Sequence, residues 1–208
     1  MRLAVFGGTG RVGRRLIEYA TSAGHNIRAL VRDPEKLPSG LAGLEPVTGD
    51  VTDAEAVLQT VSGSEAVLSA LGGAGLANPG TVLSDGMKNI VAAMAQTGVR
   101  RVLAVAGSGV LDSPAGGLRG EAADFPAAFQ AINHEHLGTW RALRTSDLEW
   151  TLACCPDLED GVLTRRYRVT PDVLPDDASM ISVEDVAAFM LEEVMRNSYL
   201  KLRVGLGV

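Results

Sequence analysis

The sequence predicts an α/β protein built on a doubly wound parallel sheet. Apolar, strand-like runs recur along the chain, and helical patterns separate most of them, so that the order is strand, helix, strand from the first residues onward. A glycine-rich turn, residues 7–13, joins the first strand to the first helix. Strands that alternate with helices usually pair in parallel, because a parallel connection needs a crossover long enough to hold a helix.

Each element follows from its local pattern of apolar residues. Strands are expected at residues 2–6, 26–31, 44–49, 65–71, 101–107 and 149–155. Helices are expected at about 11–23, 53–61, 82–97 and 130–145. Ser182, followed by Asp185 three residues later, predicts a start resembling a capping box for a last helix that reaches about Met195. A short strand in LKLRVGL is expected after it.

Two irregular segments interrupt this alternation. Residues 108–128 are rich in Gly, Pro and Ala with little periodicity, and residues 156–180 form a second such piece. Loops at such places often border the ligand crevice. Because no repeat, low-complexity tract or linker divides the chain, we expect one domain over residues 1–208, with a small substrate-side region toward the C-terminus.

Composition limits the classes of function. The chain of 208 residues is 46% hydrophobic and has a formal net charge of −6. This suits a globular protein with a good core and is unlike a nucleic-acid binder, which presents a basic surface. No apolar run approaches the roughly 20 residues that cross a bilayer, and the N-terminal residues do not resemble a secretory leader, so a cytoplasmic protein without a membrane partner is expected. Cys154 and Cys155 are predicted to be buried thiols on opposite faces of a strand, rather than a disulfide or a metal site.

The glycine-rich turn predicts a dinucleotide-binding site. Residues 8–13, GTGRVG, fit G-x-G-x-x-G, and Gly7, Gly10 and Gly13 also fit a wider G-x-x-G-x-x-G spacing. Glycines are needed there because the turn is tight, because a Cβ would hold the backbone away from a pyrophosphate, and because the helix packs close to the strand. The free N–H groups of the helix then bind the phosphates. A tight turn without a ligand is the alternative, but the setting of strand, turn, helix and strand favours the dinucleotide.

An arginine after the second strand indicates which dinucleotide binds. Arg32 stands where an NAD-preferring protein has an acidic residue on the adenosine ribose, so it favours the 2′-phosphate of NADP(H). Arg11, in the glycine turn, could contact the same phosphate from the other side. NAD(H) stays possible, because a shift of one residue would place Asp33 at the acidic position.

Two later strand ends extend the expected cofactor site. Asp50 and Val51 follow the third strand, where a carboxylate and an apolar side chain could border an adenine; for Asp50, a capping turn before the next helix is an equal alternative. After the fourth strand, Gly72 and Gly73 would let a cofactor pass close to the backbone. All of these positions lie at the carboxyl ends of strands, where open α/β sheets bind ligands.

Taken together, these segments resemble the atypical short-chain dehydrogenases/reductases with an NAD(P)-binding Rossmann fold, and more narrowly the group of biliverdin reductase B, flavin reductases and NmrA-like proteins. The resemblance covers nearly the whole chain and rests on AVFGGTGRVG, ALVRDPEKLP, VTGDVTD, VLSDGMKNIVAAMAQTGVRRVLAVAG, HLGTWRALRTSDLEWTLACCP and ISVEDVAAFML. It implies a reductase that uses NADPH. It also implies which residues hold the cofactor, namely Gly7, Thr9, Gly10, Arg11 and Val12 at the pyrophosphate, Arg32 at the 2′-phosphate, Asp50 and Val51 at the adenine, and Leu71 and Gly72 at the inner ribose.

The chain departs from this family in its catalytic residues. Ordinary members use a Tyr-x-x-x-Lys pair, in which the lysine lowers the pKa of the phenol. None of the three tyrosines here has a lysine four residues further on. Alignment with the family's matching helix places His136 at the tyrosine position, as in biliverdin reductase B-like proteins, and Trp140 at the lysine position. His136 either lines the substrate pocket and relays a proton, since the unperturbed pKa of a histidine is near 6.5, or is a packed or partly exposed helical histidine.

Ser108 is the second candidate for catalysis. It follows the fifth strand, where the family's active-site serine lies, although a shift of one residue would place Gly107 there. The alternative is that Ser108 makes an ordinary hydrogen bond in a loop. The arginine that family members commonly have just before Pro156 is replaced by Cys155, so an anchoring arginine is not expected at that position.

Three functions are compatible with these residues. The leading one is a reductase that transfers a hydride from NAD(P)H to a flat, conjugated small-molecule acceptor such as a flavin, a quinone or a linear tetrapyrrole, because such an acceptor can take its proton from solvent. The alternative is a non-catalytic, NmrA-like dinucleotide sensor that acts through protein partners. A nucleotide-sugar epimerase or dehydratase is less favoured, because the Tyr-Lys pair is missing and 208 residues leave little chain for a sugar-nucleotide domain. A monomer or weak homo-oligomer is expected.

Overall fold

The computed structural model of the protein describes residues 1–208 and has helices on both faces of an eight-stranded sheet. The strands, in chain order, are β1 (Arg2–Phe6), β2 (Asn26–Val31), β3 (Leu44–Thr48), β4 (Ala66–Ser69), β5 (Arg101–Gly107), β6 (Glu149–Cys155), β7 (Asp157–Glu159), β8 (Arg168–Pro171), β9 (Met180–Ser182) and β10 (Leu202–Gly207). The helices are α1 (Arg11–Ser22), α2 (Ala54–Val61), α3 (Val82–Thr97), α4 (Gln130–Arg144) and α5 (Val183–Arg196). None of the helices has the length and apolar character that crossing a bilayer requires.

The order of the strands confirms the doubly wound fold. The main sheet runs β3-β2-β1-β4-β5-β6-β10-β8, and every neighbouring pair from β3 to β10 is parallel. The direction of winding reverses between β1 and β4, which creates a crevice at the carboxyl ends of these two strands. The glycine turn that follows β1 opens into this crevice.

The segment 156–180 contains strands that its sequence does not predict. β8 pairs antiparallel with β10 at one edge of the main sheet, and β7 pairs with β9 in a separate two-stranded sheet. These strands are short and only partly buried, so they lack the continuous apolar run that identifies β4, which also has four residues. Pro171 in β8, like Pro46 in β3, occupies an edge strand, where the missing N–H removes no bond from the centre of the sheet.

Alternating strand residues build two apolar layers. Leu3 and Val5 of β1 face the layer of α1 and α5, whereas Ala4 and Phe6 face the layer of α2, α3 and α4. The two cysteines divide in the same way: Cys155 packs in the first layer and Cys154 in the second, which confirms the prediction of buried thiols on opposite faces. Burial raises the pKa of the Cys155 thiol to about 12, so it stays protonated near neutral pH.

The start of α5 shows half of the expected capping box. The N–H of Asp185 donates to Ser182 Oγ at 3.0 Å, as the spacing predicts. The Asp185 carboxylate does not return to the cap; it accepts hydrogen bonds from the N–H and hydroxyl of Thr164 and from the N–H of Arg165. The start of α5 therefore holds part of the segment 156–180 in place. The sequence does not predict this contact, because the partners are 20 and 21 residues apart.

Candidate functional site

A cleft of about 800 Å³ opens at the carboxyl ends of β1, β4, β5 and β6. Its walls come from the segments that follow these strands and from the first half of α4. A smaller hollow of about 440 Å³ lies at the opposite, amino ends of β1, β2 and β3. Because open parallel sheets bind ligands outside the carboxyl ends of their strands, the larger cleft is the candidate site.

The glycine turn leaves no room for side chains at two positions. Gly7 has φ +78°, in the left-handed region, and a Cβ there would overlap the carbonyl group of Ala70 at the end of β4. A Cβ on Gly13 would overlap the carbonyl oxygen of Gly7 and lie 2.9 Å from Gly8 Cα. The turn therefore closes tightly against both β4 and the first turn of α1.

The N-terminus of α1 has backbone N–H groups without a hydrogen-bond partner inside the helix. Gly10 is its N-cap and supplies no side chain, and the first turn contains no acidic residue. The first N–H groups of a helix have no partner within it and attract anions. A Cβ on Gly72, across the cleft, would meet nothing within 4 Å. Backbone is thus accessible on both sides of the cleft here, and binding of a pyrophosphate and its inner ribose stays a prediction.

The other residues predicted to hold the pyrophosphate and ribose lie around this cradle. Thr9 is exposed, Val12 is 7% exposed and packs in the core, and Leu71 is half-buried in the cleft wall. The guanidinium of Arg11 donates to the carbonyl oxygen of Leu158 at 2.7 Å and lies 3.3 Å from the carboxylate of Asp160. Arg11 thus bridges the glycine turn and the segment after β6, instead of turning toward the 2′-phosphate position beside Arg32.

The end of β2 presents a cation where the sequence predicts one. The side chain of Arg32 is 82% exposed, and its nearest ionic partner is the Asp50 carboxylate at 4.0 Å. Asp33, the acidic alternative, accepts a hydrogen bond from the N–H of Glu35 at 3.1 Å, caps the short helix Pro34–Lys36 and lies 3.6 Å from the ammonium of Lys36. Of the two side chains, Arg32 is the more exposed, at 82% against 44%, and makes no hydrogen bond to the chain.

The two residues expected at the adenine differ in exposure. The Asp50 carboxylate accepts hydrogen bonds from the N–H and hydroxyl of Thr52, so the turn given as its alternative role is present. These bonds, together with the charge of Arg32, hold the pKa of Asp50 below its usual value. Val51 is 6% exposed and packs against Gly86 of α3, while its carbonyl oxygen accepts from Asn89. Contact of either residue with an adenine stays a prediction.

His136 lines the cleft from α4, and its ring lies against Gly107 at the end of β5. A Cβ on Gly107 would stand 3.2 Å from His136 Cδ2. The ring nitrogen Nδ1 is buried and has no hydrogen-bond partner. Desolvation lowers the pKa of His136 to about 4. The imidazole is therefore neutral at pH 7, so it can donate a hydrogen bond but does not act as a cationic acid.

Ser108 lies in the same cleft as His136. It begins the short helix Ser108–Val110 after β5, and its carbonyl oxygen accepts from the N–H of Leu111. Its half-exposed hydroxyl makes no hydrogen bond to another residue of the chain, so the alternative of a side-chain hydrogen bond within the loop is not observed. The structure thus brings both catalytic candidates to one wall, and their roles stay predictions.

Arg203 of β10, which the sequence does not single out, holds the Ser108 segment in place. Its buried guanidinium donates to the carbonyl oxygen of Val110 at 2.7 Å and to the carboxylates of Asp112 and Asp172, each at 2.9 Å. Trp140, at the position of the family's lysine, stacks over it at 4.4 Å from the ring centroid. Trp140 is therefore part of the support and does not line the cleft.

The outer wall of the cleft also comes from residues that the sequence does not predict. Phe125, Phe129 and Ile132 form an apolar surface there. Asn133 and Arg119 are the polar exceptions, and Asn133 is 4% exposed with no hydrogen-bond partner for its Oδ1. These residues come from the aperiodic segment 108–128 and its junction with α4, where the pattern indicates a loop without saying which side chains face inward.

Acid should destabilise the protein through His136. The unfolded histidine takes up a proton below about pH 6.5, whereas the folded one does so only below about pH 4, so stability is lost as the pH falls through this window. The expected contribution at pH 4.5 is about 2 to 3 kcal/mol. Urea unfolding of wild type and His136→Phe at pH 7 and pH 4.5 measures it, and the variant should lose about 2 kcal/mol less than wild type.

His134→Phe is the matched control for this measurement, since His134 is exposed on the same helix. That variant should lose as much stability as wild type between the two pH values. Equal acid sensitivity of His136→Phe and wild type would show that His136 is not held neutral.

Comparison with known proteins places the chain among NAD(P)H-binding proteins. It matches the NAD(P)H-binding family over residues 7–197. A curated relative, 3-beta-hydroxysteroid dehydrogenase of Mycolicibacterium neoaurum, is 33% identical over 121 residues, which are 53% of this chain and 33% of the dehydrogenase. A 3-diazoavenalumate denitrifying reductase of a Streptomyces species is 33% identical over 50% of this chain and 37% of the reductase. The chain thus matches only about a third of the length of these relatives.

Solved structures match over the whole chain. A proposed NADH-flavin reductase from Streptococcus pneumoniae superposes with a TM-score of 0.86 at 25% identity. The match covers 100% of this chain and 99% of the reductase chain. A proposed epimerase from Bacteroides thetaiotaomicron gives a TM-score of 0.83 at 26% identity over 99% and 96% of the two chains. The two names give different reactions for one architecture, so the reaction has to be argued from the residues of the cleft.

Proposed function

This chain belongs to the NAD(P)H-binding family, and from that premise we propose that it is an NADPH-dependent reductase of flat, conjugated acceptors such as flavins, quinones or linear tetrapyrroles. The proposal rests on one observation above all: a single cleft extends from the glycine turn to the apolar wall of Phe125, Phe129 and Ile132. The first end suits a dinucleotide and the second suits a planar ring.

The charges around the cleft support NADPH as the reductant. Arg32 presents an exposed guanidinium beyond β2, and the neighbouring carboxylate of Asp33 already caps a helix. A guanidinium binds a phosphate with two parallel hydrogen bonds, whereas an unmodified ribose hydroxyl needs an acceptor. NAD(H) would leave Arg32 without this partner.

The chemistry requires little of the protein beyond positioning. The bound dinucleotide supplies a hydride, and the acceptor gains that hydride and one proton from water, so that two electrons pass from reductant to acceptor. Ser108 and the neutral His136 face the cleft and orient the acceptor by hydrogen bonds. An epimerase or alcohol dehydrogenase reaction also needs a group that takes a hydroxyl proton near pH 7, and the chain has neither the Tyr-x-x-x-Lys pair nor a histidine of suitable pKa in this cleft.

The lack of a Tyr-x-x-x-Lys pair and of a histidine with a suitable pKa also favours a second candidate, a dinucleotide sensor that performs no chemistry. One assay separates the two proposals: NADPH or NADH is added to the protein, and the nicotinamide absorption band is followed with and without FMN, a quinone or biliverdin. For a reductase, the dinucleotide is oxidised only when an acceptor is present, and NADPH binds more tightly than NADH. Tight binding without turnover of any acceptor would support the sensor and contradict the reductase.

A further inference from the structure

Arg119 is a cation without a partner. It belongs to the short helix Arg119–Glu121 in the segment after β5, is half-buried, and lines the cleft. Three other arginines lack an ion pair, a hydrogen bond from the guanidinium and an aromatic contact, but they are exposed: Arg141, Arg166 and Arg168. Because burial of an unpaired charge costs free energy, an unpaired arginine that is half-buried in the wall of a cleft points to a partner from outside the chain.

The backbone holds Arg119 at this place. Its N–H donates to the carbonyl oxygen of Leu111 at 2.8 Å, which ties it to the segment that begins with Ser108. Glu121, the nearest acidic residue in sequence, uses its carboxylate to accept from the N–H of Leu118 at 3.2 Å and makes no ion pair with Arg119. The backbone of Arg119 is therefore held in place, and no neighbouring carboxylate pairs with its guanidinium.

The position of Arg119 assigns it to the acceptor and not to the cofactor pyrophosphate. The glycine turn follows β1, whereas the segment that carries Arg119 follows β5, and these two strands lie about 10 Å apart in the sheet. The other ionic residues of the cleft are Arg11, which pairs with Asp160, and Asp157, which is exposed after β6. Arg119 is thus the unpaired positive charge at the acceptor end.

A second polar group lies beside it. The Asn133 amide packs against Gly120, the residue after Arg119, where a Cβ would stand 2.7 Å from Asn133 Cγ. Asn133 is 4% exposed, and its Oδ1 has no partner. Asn133 thus packs the Arg119 segment against α4, and Arg119 is the charged group beside the apolar wall of Phe125 and Phe129.

We propose that Arg119 binds an anionic group, a phosphate or a carboxylate, carried by the conjugated acceptor. This inference rests on the proposed function, because it defines the class of acceptor that the reductase takes. The ring packs on the apolar wall, and its charged substituent pairs with the guanidinium, the only positively charged group beside this wall that can bind an anion. Neutral rings are then the weaker ligands of the same cleft.

Pairs of acceptors that share a ring and differ in charge test the proposal. FMN and riboflavin differ by a phosphate; biliverdin and its dimethyl ester differ by two carboxylate charges. Binding of each is titrated by flavin fluorescence or tetrapyrrole absorbance, with the protein saturated by NADP⁺ so that no turnover occurs. We expect the charged member of at least one pair to bind about 10- to 100-fold more tightly, and the pair that shows the difference identifies the phosphate or the carboxylate as the group bound.

The variant Arg119→Gln should bring the affinities of that pair together by weakening the charged member about 10- to 100-fold. Arg141→Gln, which removes the same charge from an exposed site on α4, is the control and should leave the difference unchanged. Equal affinities within both pairs in wild type, equal losses for charged and neutral members in Arg119→Gln, or no binding of any of the four compounds would overturn the proposal.

These outcomes are independent of the reductase assay. Oxidation of NADPH in the presence of riboflavin would support the reductase even if Arg119 has no role. Binding of FMN in preference to riboflavin, without NADPH oxidation, would support the anion site and contradict the reductase.

Discussion

Gly13→Ala is expected to lower the melting temperature by about 10 °C and to abolish binding of NADPH. A Cβ at this position would overlap the carbonyl oxygen of Gly7, so either α1 or the glycine turn has to move. Forcing an extra carbon into a packed contact costs about 3 kcal/mol or more when the obstacle is backbone, and a chain of this length loses about 2 to 4 °C for each kcal/mol. The displaced turn would also no longer present its N–H groups to a phosphate.

Gly10→Ala separates the effect on binding from the effect on folding. A Cβ on Gly10 would stand 3.3 Å from the carbonyl oxygen of Gly7, a contact that small shifts relieve. We expect its melting temperature to fall by no more than about 4 °C, while NADPH affinity falls at least about tenfold, because the methyl group enters the space of the pyrophosphate. Circular dichroism melting and calorimetric titration measure the two effects. Wild-type stability and affinity in Gly13→Ala would mean that α1 does not pack against this turn.

Arg32→Glu is expected to reverse the cofactor preference. The exposed guanidinium makes no hydrogen bond to the rest of the chain, and its one ion pair, with Asp50, spans 4.0 Å, so its replacement should leave the fold intact. Loss of charge-assisted hydrogen bonds to the 2′-phosphate, together with repulsion by the new carboxylate, should weaken NADPH about 100-fold. NADH affinity should change by less than about threefold, because NADH carries no phosphate at that place. The loss for NADPH should shrink at high salt, since the site is exposed.

The measurement is a titration of wild type and variant with both dinucleotides. Arg168→Glu makes the same change of charge at an exposed position on the edge strand β8 and should leave both affinities unchanged. Tighter binding of NADH than of NADPH by wild type would refute the NADPH preference. Equal losses of both dinucleotides in Arg32→Glu would place Arg32 outside the 2′-phosphate site.

Local patterns predict most of the fold because the central strands, of four to seven residues, are mostly buried on both faces. Such strands appear in the sequence as apolar runs, and the helices between them have room for several turns of periodic pattern. The exceptions are β7, β8 and β9, each of three or four residues. Their pairing depends on contacts with distant segments, such as β8 with β10, which leave no trace in the local pattern.

The residues of the candidate site also divide into those that local sequence patterns identify and those that depend on long-range contacts. The glycine turn and Arg32 are identifiable from the sequence, since each owes its role to its place at a strand end and to its own chemistry. The shifted pKa of His136, the support given by Arg203 and the unpaired state of Arg119 belong to the folded molecule. A side chain's solvation and partners depend on which segments pack around it, and in this protein those segments lie tens of residues away.

The residue pattern alone was therefore sufficient for the parallel doubly wound sheet and the glycine turn at one end of the cleft, where short-range periodicity and glycine spacing carry the information. Folding decided the other end. There, burial neutralises His136, Arg203 anchors the Ser108 segment through contacts 91 and 93 residues apart in sequence, and Arg119 is left without an ionic partner. Desolvation and long-range pairing arise only when the chain is packed, so no local pattern could have shown them.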